Sequence, residues 1–155
     1  MNVLFVCMGD TCRSPLAKGI LRREFQAHHI EGEVDSAGFE PHHIGHSVNK
    51  RTKKVAEAHG IDLSDHKTRM FDPKDFERFD RIYVMDQRDY RDVRYASGAS
   101  QEHMEKVDFM MNLIDEEKKN KIIPDPLYKG YRSFETIYSK LERACKALVK
   151  QINEA

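Results

Sequence analysis

The chain has 155 residues, the size of one compact domain, and a single domain over 1–155 is expected. Lysine plus arginine and aspartate plus glutamate both number 26, so the formal net charge is zero and no basic stripe marks a nucleic-acid partner. Charged residues make up 34% of the chain with periodic apolar segments between them, which excludes a disordered protein.

At the N-terminus Val3-Leu4-Phe5-Val6 is a continuous apolar run, the pattern of a strand buried on both faces of a parallel sheet. The apolar stretch ends at Cys7. That is too short for the core of a signal peptide and has no cationic segment before it, so neither export nor a membrane partner is expected. Three cysteines, an odd number, argue against a disulfide framework and for a reducing, cytoplasmic setting. After the polar loop Met8 to Arg13, Ser14-Pro15 predicts an N-cap followed by proline at the first helical position. Leu16, Ile20, Leu21 and Phe25 give that helix its apolar face, and His28-His29 mark its end. Glu33 to Ser36 predicts a weak second strand, followed by a loop containing Gly38 and Gly45. Asn49 to His59 predicts a polar helix stopped by Gly60. Asp80 to Met85 predicts a third strand and Gln87 to Tyr95 a short helix, and Lys106 to Leu113 holds a fourth strand. The run Glu116 to Lys121 reads as a solvated loop, and Pro124-Asp125-Pro126 as a rigid turn. Ser133 is the expected cap of the last helix, whose stripe Phe134, Ile137, Tyr138, Leu141, Cys145, Leu148, Val149 and Ile152 faces a core. Strands alternate with helices, which predicts an α/β fold with a parallel sheet.

The segment Cys7-Met8-Gly9-Asp10-Thr11-Cys12-Arg13-Ser14 joins the first strand to the first helix, where open parallel sheets bind ligands and helix N-termini point. A loop here can aim several backbone N–H groups at one anion, with the helix dipole adding to the attraction. The same field favours a thiolate, so Cys7 is expected to be acidic and nucleophilic. Arg13 supplies a planar fork for two phosphate oxygens, Ser14 a hydroxyl for the sulfur, and Gly9 room for close backbone approach. The C-x5-R spacing is weak by itself; its place between strand and helix is what carries the inference. Transfer of a phosphoryl group to Cys7 expels a leaving group that needs a proton, and Asp125, held between two prolines, is the expected general acid and later base.

With Cys7, Arg13 and Asp125 in place, the sequence resembles the low-molecular-weight protein tyrosine phosphatases nearly end to end. The likeness runs through Leu4 to Pro15, Asp35-Ser36-Ala37-Gly38, Gly60-Ile61-Asp62 with His66 and Arg69, Met85-Asp86, Asp125-Pro126 and Phe134 to Tyr138. The resemblance implies a four-stranded parallel sheet flanked by helices on both faces, with no metal and no organic cofactor. It implies Cys7 as nucleophile, Arg13 as phosphate clamp and Asp125 as general acid, and Met8, Gly9, Asp10, Thr11, Cys12 and Ser14 as the phosphate-binding loop. Ser14, Ser36 and His66 form the supporting network in this picture, and Cys12 protects Cys7 by forming a disulfide. The substrate expected is a phosphorylated protein or peptide, and the protein is expected to be a monomer.

Several positions depart from the family pattern. Asp10 replaces the usual asparagine, and Leu127 stands where an aromatic residue is usual, although Tyr128 matches. His42 replaces a rim Trp or Tyr, and Asn49-Lys50-Arg51 stands where Asp-Pro-Arg is usual. Thr11 resembles the arginine-phosphatase branch, whereas His66 and the Phe134–Tyr138 segment resemble the tyrosine branch. The expected function is therefore protein-tyrosine phosphatase, with protein arginine phosphatase as the alternative. An arsenate reductase of this fold needs two further redox cysteines mid-chain, and none lies between Cys12 and Cys145. A mere phosphate-binding module, suggested by the negative charge of Asp10, needs no general acid. Asp10 itself is expected either to point away from the anion and accept loop or Ser36 hydrogen bonds, or to pair with a protonated His66 and raise its pKa. His42, His43 and His46 share a loop with no cysteine or carboxylate cluster beside them, so a solvated pocket rim is expected there rather than a metal site.

Overall fold

The computed structural model describes residues 1–96, 98–127 and 129–155. Four strands, β1 (Val3–Val6), β2 (Val34–Ala37), β3 (Arg81–Val84) and β4 (Val107–Phe109), form one all-parallel sheet in the order β2-β1-β3-β4. The α-helices are α1 (Arg13–Ala27), α2 (Lys50–Ala58), α3 (Asp75–Arg78), α4 (Gln87–Arg94), α5 (Gln101–Met104) and α6 (Tyr131–Glu154). Val6 of β1 pairs with Ala37 of β2 and Val84 of β3, so the chain leaves all three strands on one edge, at Cys7, Gly38 and Met85.

β1 is apolar throughout because helices cover both of its faces. Val3 and Phe5 join the larger core cluster with α1, α2 and α6, whereas Leu4 and Val6 join a smaller one with Phe76, Val84 and Val93 from the opposite side. The α6 stripe is buried from Phe134 to Val149, with Ile152 half-buried at its end. Burial is worth about 2 kcal/mol for each large aliphatic side chain, so α6 is the main clamp on α1. Among the described residues, no helix is long and apolar enough to cross a membrane.

The elements differ from expectation mainly at their ends. α1 starts at Arg13 with Cys12 in the cap position and no side-chain cap. Ser14 is not the cap because its hydroxyl is engaged by Cys7 and Asp10 instead. α6 starts at Tyr131 after Gly130, which leaves Ser133 inside the first turn. The second strand runs one residue later than expected, and the fourth has three residues before a 3₁₀ turn at Met110–Leu113. α2 ends as expected: Gly60 takes φ +77°, the Ile61 N–H bonds Ala56 O at 2.9 Å and the Gly60 N–H bonds Glu57 O at 3.0 Å. That pattern is a Schellman motif, which favours glycine.

Candidate active site

The segment from Cys7 to Arg13 curls at the carboxyl edge of β1 and runs straight into α1. Cys7 is buried, with Sγ 2.9 Å from Ser14 Oγ and 3.4 Å from the Ser14 backbone N. The loop is stapled to the residues after β2: the Phe39 N–H bonds Met8 O at 2.8 Å. Gly38 permits this, since a Cβ there would stand 2.9 Å from both Asp10 N and Met8 O. On the other side the Asn49 N–H bonds Thr11 O at 2.9 Å. Asp10 adopts a left-handed φ of 51°, which aspartate and asparagine tolerate better than most residues.

Arg13 is buried and held along one edge. Its Nη1 donates to Asp86 Oδ2 and to the Ile123 carbonyl, both at 2.8 Å. Nε has no hydrogen-bond partner among the described residues, and Nη2 makes only a 3.9 Å contact with Asp125 Oδ2. Asp125 is exposed, and its Oδ1 accepts the Leu127 N–H at 3.0 Å in an Asx turn. The structure thus brings Cys7, Arg13 and Asp125 together from β1, α1 and the segment before α6.

Asp10 lies fully buried behind the loop. Oδ1 accepts the Ser14 hydroxyl at 2.8 Å and Oδ2 the Arg69 N–H at 3.3 Å. His66 Nε2 stands 2.9 Å from the Asp10 carbonyl oxygen, and its Nδ1 stands 2.5 Å from Lys18 Nζ. With lysine donating to Nδ1, the imidazole is the neutral Nε2–H tautomer, which donates to the carbonyl. Ser36 Oγ is buried with no hydrogen-bond partner among the described residues.

A family model described as low molecular weight phosphotyrosine protein phosphatase matches residues 2–155. The chain belongs to this family. Its members are phosphoric monoester hydrolases. The chain is 33% identical to the low molecular weight phosphotyrosine protein phosphatase of Gallus gallus, over 97% of this chain and 94% of that protein. It superposes on a protein tyrosine phosphatase from Entamoeba histolytica with a TM-score of 0.89 at 31% identity, covering 99% and 97% of the two chains. It is also similar to an arginine phosphatase from Drosophila, with a TM-score of 0.88 and 28% identity over 98% of each chain.

In this member of the phosphatase family the charges around the loop fall differently from the sequence-based expectation. Burial pushes the Cys7 thiol up to about 12; the Arg13 charge pulls it down, while Asp89 and Asp10 push it further up. The acidic thiol expected at a helix N-terminus is therefore opposed by desolvation and by two buried carboxylates. Burial works against the Arg13 charge, but Cys7, Asp89 and Asp86 together hold the guanidinium firmly protonated. Burial raises the Asp10 carboxyl to about 6 even though Ser14 and the Arg69 N–H favour its ionised form.

His66 moves opposite to the coupled-pair expectation. Burial, then the Lys18 charge, lowers it to about 4, so a protonated His66 facing Asp10 is not the resting arrangement. The Asp10 carboxylate instead accepts hydrogen bonds from the Ser14 hydroxyl and the Arg69 N–H. Cys12 is a buried free thiol whose pKa burial raises. Leu127 and His42 are both exposed, and Tyr128 lies outside the described residues.

Two acids were not assigned a role from sequence. Asp86 follows β3 by two residues and caps α4 by accepting the Asp89 N–H at 2.9 Å, while gripping Arg13. Burial opposes its ionisation, yet the bonds from Arg13 and the Asp89 N–H hold its carboxyl below the usual value. Asp89 is fully buried, and burial lifts it to about 7. Their sequence signal was their place: both follow the carboxyl end of a strand next to β1, where ligand sites form.

Proposed function

We propose that the chain is a protein-tyrosine phosphatase that acts on phosphorylated proteins or peptides through a cysteinyl-phosphate on Cys7. Arg13 carries the assignment: Asp86 and the Ile123 carbonyl hold Nη1, which leaves the Nε–Nη2 edge as the fork for two phosphate oxygens. The loop from Met8 to Ser14 and the head of α1 supply further N–H donors. The Cys7 thiolate attacks phosphorus and the bond from phosphorus to the tyrosyl oxygen breaks. Asp125 gives its proton to the departing phenoxide, then takes one from the water that attacks phosphocysteine. Cleavage of the S–P bond returns the thiolate and releases inorganic phosphate. Cys12, in the same loop, is the partner for a disulfide that shields Cys7 from overoxidation.

A protein arginine phosphatase is the second reading. It is favoured by Thr11 and by a rim bearing His42 and Leu127 where aromatic residues would flank a phenyl ring. Hydrolysis of matched phosphotyrosine, phosphoarginine and phosphoserine peptides tests the assignment, with phosphotyrosine expected to turn over fastest. Preference for phosphoarginine would select the second reading. A Cys7→Ser protein that kept wild-type turnover would rule out the covalent route.

A further inference from the structure

The 3₁₀ turn Pro41–His43 stands beside the Cys7–Arg13 loop, and the residue preceding it, Glu40, is the carboxylate that the sequence-based expectation did not place with the histidines. His42 Nε2 lies 3.1 Å and His43 Nε2 3.8 Å from the same oxygen, Glu40 Oε2. The three ligating atoms are all within 4.8 Å of one another. A tetrahedral ion with bonds of about 2.0–2.1 Å places its ligand atoms roughly 3.3 Å apart, so these two edges stand within about 0.5 Å of closure.

The donor atoms are also set up chemically. His43 Nδ1 lies 3.4 Å from His46 Nδ1. With His43 Nδ1 as the donor to His46, the proton sits on the outer side of His43 and the Nε2 lone pair is left toward Glu40, as outer partners do for metal-bound histidines. Thr68 fixes the backbone: its hydroxyl bonds the His43 carbonyl, its carbonyl accepts the Gly45 N–H at 2.9 Å, and its N–H bonds His46 O at 2.9 Å. The cluster abuts the loop closely, since a Cβ on Gly9 would meet His43 Cδ2 at 3.3 Å and Glu40 Oε1 at 3.5 Å.

We propose that Glu40, His42 and His43 form a three-ligand site for a divalent transition metal, Zn2+ foremost, at the lip of the phosphatase loop. Two imidazoles with one carboxylate suit Zn2+, whereas Mg2+ and Ca2+ take cages of oxygen donors. Three protein ligands leave a fourth position for water or for an oxygen of an arriving molecule. His46 is a positioning residue that orients His43.

The test is a metal titration of the full chain carrying Cys7→Ser and Cys12→Ser, which removes the loop thiols as competing ligands. Co2+ binding is followed by its visible d–d bands, and Zn2+ affinity by competition with a chromophoric chelator. One equivalent is expected, with His42→Ala or His43→Ala weakening Zn2+ at least about a hundredfold and His46→Ala about tenfold. Affinity unchanged by His42→Ala or His43→Ala overturns the proposal, as does a dissociation constant no tighter than about 1 mM. The readout is binding rather than turnover, so it stands apart from the catalytic assignment.

Discussion

Asp125 Oδ2 stands 3.9 Å from Nη2 of Arg13, while the other oxygen of the same carboxylate is tied into the turn by the Leu127 N–H. One oxygen thus holds the residue in place and the other is turned toward the guanidinium edge that is assigned to phosphate. Asparagine preserves the turn through its own Oδ1 and removes the proton. Asp125→Asn is therefore expected to fold normally and to lower kcat for phosphotyrosine by roughly a hundredfold to ten-thousandfold. The loss should be far smaller for para-nitrophenyl phosphate, whose leaving group needs little protonation. Equal losses across a leaving-group series would remove Asp125 from the role of acid.

The anchored edge of Arg13 leads to a second prediction. Arg13→Lys keeps the charge but cannot hold Asp86, the Ile123 carbonyl and two phosphate oxygens together. A hydrogen bond to a charged group is worth about 1.5–3 kcal/mol, so inhibition by inorganic phosphate should weaken roughly tenfold to a hundredfold. Asp86→Asn retains an acceptor for Nη1 and should cost less. Phosphate inhibition constants measured at one pH and salt concentration check both variants, and a wild-type constant for Arg13→Lys would exclude the fork as the clamp.

Much of this site was legible because its parts are local. Burial on both faces makes β1 a continuous apolar run, and Cys7, Gly9 and Arg13 sit where that run meets the next helix. What was not legible is long-range. Asp86 and the Ile123 carbonyl lie 73 and 110 residues from the arginine they hold, and Lys18 lies 48 residues from His66. The same limit explains the Ser14 cap, since nothing local says that its hydroxyl will be taken by Cys7 and Asp10. α3 and α5 have four residues each, too few to show a helical period. Glu40 is separated from His42 by Pro41 alone, but nothing in the sequence says that the turn there brings the carboxylate against the imidazoles.

The buried pair behind the loop should make stability depend on pH in two opposing ways. The Asp10 carboxyl sits at about 6 in the folded chain against an ordinary 3.8. Between those values the native state binds more protons, so this residue makes stability fall as pH rises. His66 sits at about 4 against 6.5, so there the unfolded state binds more protons and stability rises with pH. These two slopes largely cancel each other between about pH 4 and 6, and the raised Asp89 carboxyl adds a further fall with rising pH that wild type and both variants share. Asp10→Asn should unmask the histidine and lose stability steeply on acidification from pH 6.5 to 4.5, while His66→Gln should show the reverse trend. Urea midpoints at three pH values across that window measure both. A pH-independent offset in each variant would mean that neither group titrates as described.

Ser14 has one hydroxyl proton and two neighbours that want it. It donates to Asp10 Oδ1 at 2.8 Å, so toward Cys7, 2.9 Å away, its oxygen is left as an acceptor for the thiol S–H. An ionised Asp10 thereby favours the protonated form of Cys7, in line with the rise that burial already imposes. Asparagine at position 10 reverses the chain. Its amide nitrogen can donate to Ser14 Oγ while its oxygen accepts the Arg69 N–H, which frees the Ser14 proton for the Cys7 sulfur. A hydrogen bond to a charged group is worth about 1.5–3 kcal/mol, and one pKa unit is about 1.4 kcal/mol. Asp10→Asn is therefore expected to lower the apparent pKa of Cys7 by about one to two units. The measurement is the rate of iodoacetamide alkylation against pH, made in a Cys12→Ser background so that one loop thiol reports. Ser14→Ala should shrink the difference between Asp10 and its asparagine variant to what the Asp10 charge contributes directly, because the hydroxyl bonds both that side chain and the sulfur. Alkylation profiles that overlay for wild type and Asp10→Asn would show that Asp10 does not govern the thiol through Ser14.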